Sequence, residues 1–261
     1  MENKDLKCSG GCCSKVAGIL SALALVISLG AYFFPKTTTS IDSSTFDEKV
    51  KGIVLETIKQ NPQLLMTAMS DGIAKQREEE LQQVEKSVAD KKAEIDKQAQ
   101  KFGDLEAKTS LICFFDPLEK SCIELQKVML TIIKAKKNVC FKLLPVAVLG
   151  DDSVTLAKVY IAVYEKSPEK AISFIENITS GKGDMDKAAI DKALEAAGLS
   201  SAEIEGLMED CDKKLAENGK LAESLKIPVV PALFLGQGNN FSMLRLSSAD
   251  QLLPAIESKL K

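Results

Sequence analysis

The chain contains no histidine. That excludes a Ser/His/Asp triad, imidazole acid–base catalysis and His-containing metal sites, and it leaves any thiolate without an imidazolium partner. No two cysteines stand in a C-x-x-C arrangement, so the usual dithiol redox motif is missing as well. There is no Walker pattern; Asp151-Asp152 and Gly181-Lys-Gly-Asp184 are turn chemistry, not metal or phosphate loops. Nor is there a basic surplus. A net charge of −3 carries no electrostatic footprint for nucleic acid. No cofactor and no metal site are expected.

What is present is a globular composition, 45% hydrophobic and 27% charged, over 261 residues, enough for one sizeable domain with accessory segments. Residues 1–15 are polar and carry Lys4, Lys7 and Lys15. Val16 to Phe34 is then an uncharged, mostly apolar run of 19 residues, about the ~20 that a helix needs to cross a bilayer. It ends in Ala31-Tyr-Phe-Phe-Pro35, which offers no small-x-small cleavage site. We therefore expect an uncleaved signal anchor at 16–35 rather than a removed signal peptide. Lysines ahead of the span place the tail in the cytoplasm and the rest outside it. Cys8, Cys12 and Cys13 precede the span, whereas a lipoprotein cysteine would follow it; they read as part of a short reduced cytosolic tail, a thiolate metal site being the lesser alternative. Cys113, Cys122, Cys140 and Cys211 face the exported, oxidising side, where disulfides are permitted. If all four were joined there would be three pairings; buried free thiols are the other reading.

Residues 36–43 read as a polar linker and 44–104 as a helical oligomerisation or stalk region. Phe46, Val50, Ile53, Val54 and Ile58 share one face of a first helix. Asn61-Pro62 stops it and starts a second, with Asn61 as N-cap and Pro62 at N1. Leu64, Leu65, Ala68, Met69 and Ile73 continue the apolar face, which predicts self-association into a homo-oligomer. From Gln76 to Gln100 the pattern is highly charged. Leu81, Val88, Ile95 and Phe102 recur every seven residues, but the companion positions Lys91 and Gln98 are polar. Coiled coil and solvated stalk both fit.

The globular domain is expected at 105–261. Its pattern is strand 110–115, helix 119–135, strand 138–144, a helical block 153–223, strand 229–235, a strand at 241–246 and a helix 248–260. That order is α/β, a thioredoxin fold with a helical insertion. Within the block, Ser167-Pro168 starts one helix, Gly198 ends another as C′, and Ser200 with Glu203 forms a capping box. The stretch Leu111–Cys122 is central: a buried strand turns at Asp116-Pro117 and delivers Cys122 to a helix N-terminus, a place that favours thiolates.

Phe114-Phe115-Asp116 ahead of that helix, Phe141-Lys-Leu-Leu-Pro145, and the run Leu225-Lys-Ile-Pro-Val-Val-Pro231-Ala-Leu-Phe-Leu-Gly236 together resemble the DsbA family of exported thioredoxin-like disulfide oxidoreductases. The resemblance spans about residues 44–240. It extends to the subgroup whose N-terminal extension reads helix, Asn-Pro, helix and drives oligomerisation. It implies that Pro231, preceded by Val230, is a cis-proline facing the redox helix. It implies exported proteins or peptides as partners and, together with the anchor read from the apolar run at 16–35, a single-pass protein of the bacterial inner membrane with its C-terminal domain in the periplasm. It also exposes a departure, since the family's two redox cysteines map to Glu119 and Cys122 and the nucleophile is absent. Pro228 stands where a glycine is usual.

Residue by residue, the altered motif reads as a helix start, with Asp116 as N-cap, Pro117 at N1 and Glu119 at N3. Glu119 supplies negative charge at the positive helix end and disfavours a second anion at Cys122. Cys122 is in phase with Leu125, Met129, Ile132 and Ile133, the buried face of its helix; an inert core cysteine and a residual reactive thiol are the two readings. Cys211 is in phase with Ile204, Leu207, Met208 and Leu215 and reads as core. Three functions follow. The first is a non-redox protein that holds clients or partners in the groove beside the cis-proline. The second is a thiol–disulfide oxidoreductase or isomerase acting through Cys122. The third is a tethered spacer.

Overall fold

The computed structural model describes residues 43–260, apart from 136 and 182–184. The expected tail and span over 1–35, with Cys8, Cys12 and Cys13, lie outside the described residues. Among the described residues no helix is long and apolar enough to cross a membrane. The chain divides into two compact units, Met1–Met69 and Ser70–Lys261.

The first unit contributes α1 (Ser43–Gln60) and the first turns of α2 (Pro62–Asp90). Proline at the first position of α2 fits because its missing N–H would have no partner there. Asn61 serves α1 instead of capping α2. Its N–H and its Nδ2 both donate to the Thr57 carbonyl, at 2.9 and 3.2 Å. The predicted apolar stripe is present and uncovered: Phe46, Val50, Ile53, Val54, Leu64, Leu65 and Met69 are all exposed.

The second unit is built on a five-stranded sheet of order β1-β3-β2-β4-β5. The strands are β1 (Gln100–Gly103), β2 (Thr109–Phe115), β3 (Cys140–Pro145), β4 (Ala232–Gln237) and β5 (Asn240–Leu244). β2 runs parallel to β3 and antiparallel to β4 at the centre. All seven of its residues are buried, which is why it reads as a continuous apolar run and not as an alternating one. Alternate side chains still serve different layers. Leu111, Cys113 and Phe115 join the larger core with Leu125, Met129, Tyr160 and Phe174. Ile112 and Phe114 face the other side, against Val88, Ile95, Leu221 and Phe234.

Helices cover both faces. After β2 comes α4 (Lys120–Lys134); after β3 come α5 (Asp151–Lys166), α6 (Pro168–Ser180), α7 (Lys187–Ala196) and α8 (Ser201–Ser224), the helical insertion. A 3-10 turn, Ala249–Gln251, leads into α9 (Leu252–Leu260). Pro168 opens α6, and Gly198, at φ 68°, closes α7 with its N–H on Glu195 O at 2.8 Å. The capping box does not form: Ser200 makes no side-chain cap, and Glu203 reaches Lys166 at 3.2 Å.

Two features differ from the sequence reading. The charged stretch 76–100 is not a free stalk along its length, because Val88 of α2 and Ile95 of α3 (Lys92–Gln98) are fully buried against the sheet. The spacing of Val88 and Ile95 is therefore packing onto one face of the sheet, whereas Phe102, in β1, joins the core on the other face. The sheet also starts earlier than Leu105: β1 pairs antiparallel with β3, Phe102 opposite Phe141.

Candidate functional site

The site lies where β2 ends. Register with β4 pairs Phe114 with Ala232, so one step further sets Pro231 beside Phe115. The Val230–Pro231 peptide is cis.

Asp116 follows immediately and is wholly buried. Its Oδ1 accepts from the Leu118 N–H at 2.8 Å. Its Oδ2 accepts from the Val148 and Leu149 N–H groups at 2.7 and 3.2 Å and from Ser153 Oγ at 2.5 Å. The expected Asp116/Pro117 helix cap is thus corrected. Asp116 turns inward to donors on the loop after β3 and on α5, and α4 begins only at Lys120. The cap is Glu119, whose Oε2 accepts from the Cys122 N–H at 2.8 Å and from Ser121 Oγ. Burial alone would push the Glu119 carboxyl up, but these hydrogen bonds outweigh it and hold the group below the usual carboxylate range. Glu119 is a fixed anion at the helix N-terminus, where the macrodipole favours one.

Cys122 lies in the first turn of α4 with no exposed surface. Burial, then neighbouring Cys113, raise its thiol far above the ordinary range, and Glu119 adds to the rise. The N-terminus of α4, a place that favours an anion, is capped by the Glu119 carboxylate. Cys113 is pushed up by burial. Cys140 and Cys211 are raised as well, burial first, with lysines Lys142 and Lys214 respectively opposing it. These four cysteines are free and buried. Cys113 and Cys140 are in adjacent strands but out of register: Cys113 faces Leu143, and Cys140 faces Ser110. Among the described residues, no group of three or more acidic or thiol side chains is placed to hold a metal ion.

Beside Glu119 and Val230 is a groove of about 770 Å³. One wall is the loop after β3, Val146 to Val148. The second is α8, through Leu215, Ala216 and Ala222, and the third is Ile227 to Val230. Val148 and Val229 of its lining are exposed, and so is Leu149, next in the chain after Val148. The walls are pinned by polar contacts: the Asp116 bonds hold the loop, Val146 N–H donates to Phe115 O at 2.9 Å, and Asn218 Nδ2 of α8 donates to Pro145 O at 2.9 Å. Sequence reasoning missed this loop as part of the site. Val-Leu-Gly ahead of a helix carries no chemical signal, and only its apolar exposure in three dimensions marks it.

No family model matches the chain, and no curated protein matches it by sequence. Solved structures do. BcfH of Salmonella enterica Typhimurium is similar at 18% identity and TM-score 0.67, over 85% of this chain and 98% of that one. The catalytic domain of Proteus mirabilis ScsC is similar at 21% identity and TM-score 0.59, over 67% and 98%. The thiol-disulfide exchange protein alpha-DsbA2 of Wolbachia pipientis is similar at 17% identity and TM-score 0.58, over 67% and 95%. These likenesses give the chain a DsbA-like thioredoxin fold.

Proposed function

We propose that this is a membrane-anchored, exported DsbA-like protein that binds clients or partners in the groove beside Glu119 and the Val230–Pro231 loop, without thiol–disulfide chemistry of its own. One observation carries the reading. The helix position that a nucleophilic thiolate would use is capped by the Glu119 carboxylate, while Cys122 is fully buried with its thiol raised. A thiol that neither ionises near neutrality nor meets solvent is a poor nucleophile. The groove supports binding: its lining is largely apolar, and exposed apolar surface set in a polar rim marks interaction sites. No backbone hydrogen bond is made by Val229 or Val230 among the described residues, so an extended segment can pair there. The apolar run 16–34 supports the anchor, and the stripe along α1 and α2 supports a homo-oligomer.

The test is turnover of scrambled and reduced disulfide substrates by the wild type and by Cys122→Ser. Rates equal to the uncatalysed background for both are expected. Turnover by the wild type that Cys122→Ser abolishes overturns the reading in favour of an oxidoreductase or isomerase working through Cys122.

A further inference from the structure

We propose that the groove selects extended apolar segments that carry a lysine or arginine, and that Glu119 is the anion that reads the cation. This rests on the binding reading above and adds a chemical class to it. The groove's walls are aliphatic, from Val146 and Val148 through Leu215 and Ala222 to Ile227 and Val229. Among the described residues its charged lining residues are Glu119 and Asp212, both carboxylates, and no lysine or arginine lines it. The two are not equivalent. Asp212 is already paired with Lys158, Nζ to Oδ1 at 2.5 Å. Glu119 takes only neutral donors, Ser121 Oγ and the Cys122 N–H. Among the described residues its formal charge therefore meets no cationic side chain and is offset by the partial charge of the helix end.

Its geometry is fixed before any ligand arrives. The cap bonds hold the carboxylate, and the Asp116 contacts hold the Val148 wall beside it. An apolar segment laid along Val229 and Val230 brings one side chain past Glu119. A cation there gains a charge-assisted contact, and a carboxylate there meets like charge.

The experiment uses the full chain in detergent and a set of labelled heptapeptides, Ser-Leu-Val-X-Val-Leu-Ser, differing only at X as lysine, glutamine or glutamate. The expected order of affinity is lysine, glutamine, glutamate, with roughly three- to fivefold between neighbours, the scale of a partly exposed ion pair. Salt at about 0.5 M narrows the spread in the wild type, since screening acts on exposed charge. Glu119→Gln, which keeps an acceptor oxygen for the cap, binds all three peptides alike. Binding of all three with equal affinity by the wild type, or an unchanged order in Glu119→Gln, overturns the proposal and leaves the groove as a binding site. No binding of any peptide by the wild type overturns the binding reading itself, and this proposal with it.

Discussion

A carboxyl group with no exposed surface needs protein donors in place of water. Asp116 has four: the N–H groups of Leu118, Val148 and Leu149 and the hydroxyl of Ser153. The loop it holds needs that anchor, because Val148 and Leu149 are exposed and gain little order from packing. Asp116→Ala strands those donors in the interior, and each unsatisfied buried group costs about 1–3 kcal/mol. Part of that is recovered as the loop loosens into water, so the expected loss is about 3 kcal/mol. Asp116→Asn keeps one acceptor oxygen and should lose less, about 1–2 kcal/mol. Urea midpoints measure both, and hydrogen exchange at Val148 and Leu149 should accelerate in parallel. Equal stability of the alanine variant and the wild type would show that the anchor is idle. The same contacts explain what the sequence concealed here. Asp-Pro-x-Glu is a sound local start for a helix at 116, but the donors that draw Asp116 inward lie 32 to 37 residues further on. With Asp116 committed to them, Glu119 becomes the cap. The burial of Cys122, set by the helical phase of its own neighbours, was readable without long-range information.

At the scale of elements, α3 shows how a charged stretch becomes part of the domain. Ile95 packs under the sheet, and Asp96 beside it meets Lys142 of β3. The Lys142 Nζ stands 2.5 Å from Asp96 Oδ1, and its side chain is only 7% exposed. Burial pushes the Asp96 carboxyl up, but Lys142 and Lys92 outweigh it and the group ends below its ordinary value. A carboxyl with a depressed folded pKa adds stability above its unfolded pKa, about 3.9. That stability is lost as pH falls through the lower folded value. Asp96→Ala removes the pair and leaves a buried ammonium behind. The expected cost at pH 7 is about 2–3 kcal/mol, toward the low end because Asp96 is itself 26% exposed. Unfolding at pH 7 and at pH 3 checks the sign: the gap between variant and wild type narrows at the acid end, where the wild type loses the pair too. A gap that does not change with pH would mean the cost is packing alone. β2, β3, β4 and the insertion helices were legible because each buries a run or a periodic face encoded locally. β1 was not. Gln100-Lys-Phe-Gly103 has no β-branched residue and is a strand only because β3 pairs with it. The heptad positions of Val88 and Ile95 carried correct burial but the wrong partner, since a seven-residue spacing says which side is apolar and not what covers it.

At the scale of the whole molecule, the first unit poses the remaining physical problem. None of residues 46–69 is buried, and Ile53, Leu64 and Met66 are 67%, 64% and 72% exposed. Helices of this kind gain most of their stability from packing an apolar face, and a contiguous uncovered face is an association surface. A second copy supplies an identical stripe, which a closed symmetric oligomer buries on itself. Because Ile53 and Leu64 are so exposed in the single chain, replacing both with glutamate costs the monomer little. In an oligomer each would forfeit about 1.5–3 kcal/mol of apolar burial per subunit and set like charges against one another. Association should weaken by a hundredfold or more. The measurement is the protein mass of the detergent-solubilised full chain by light scattering. The wild type should have a multiple of the chain mass, and Ile53→Glu/Leu64→Glu the mass of one chain with an unchanged unfolding midpoint for the sheet domain. A wild type already at the mass of one chain, or a double variant that keeps the wild-type mass, removes the stripe as the cause of assembly. The apolar face of α1 and α2 would then need a partner other than this chain.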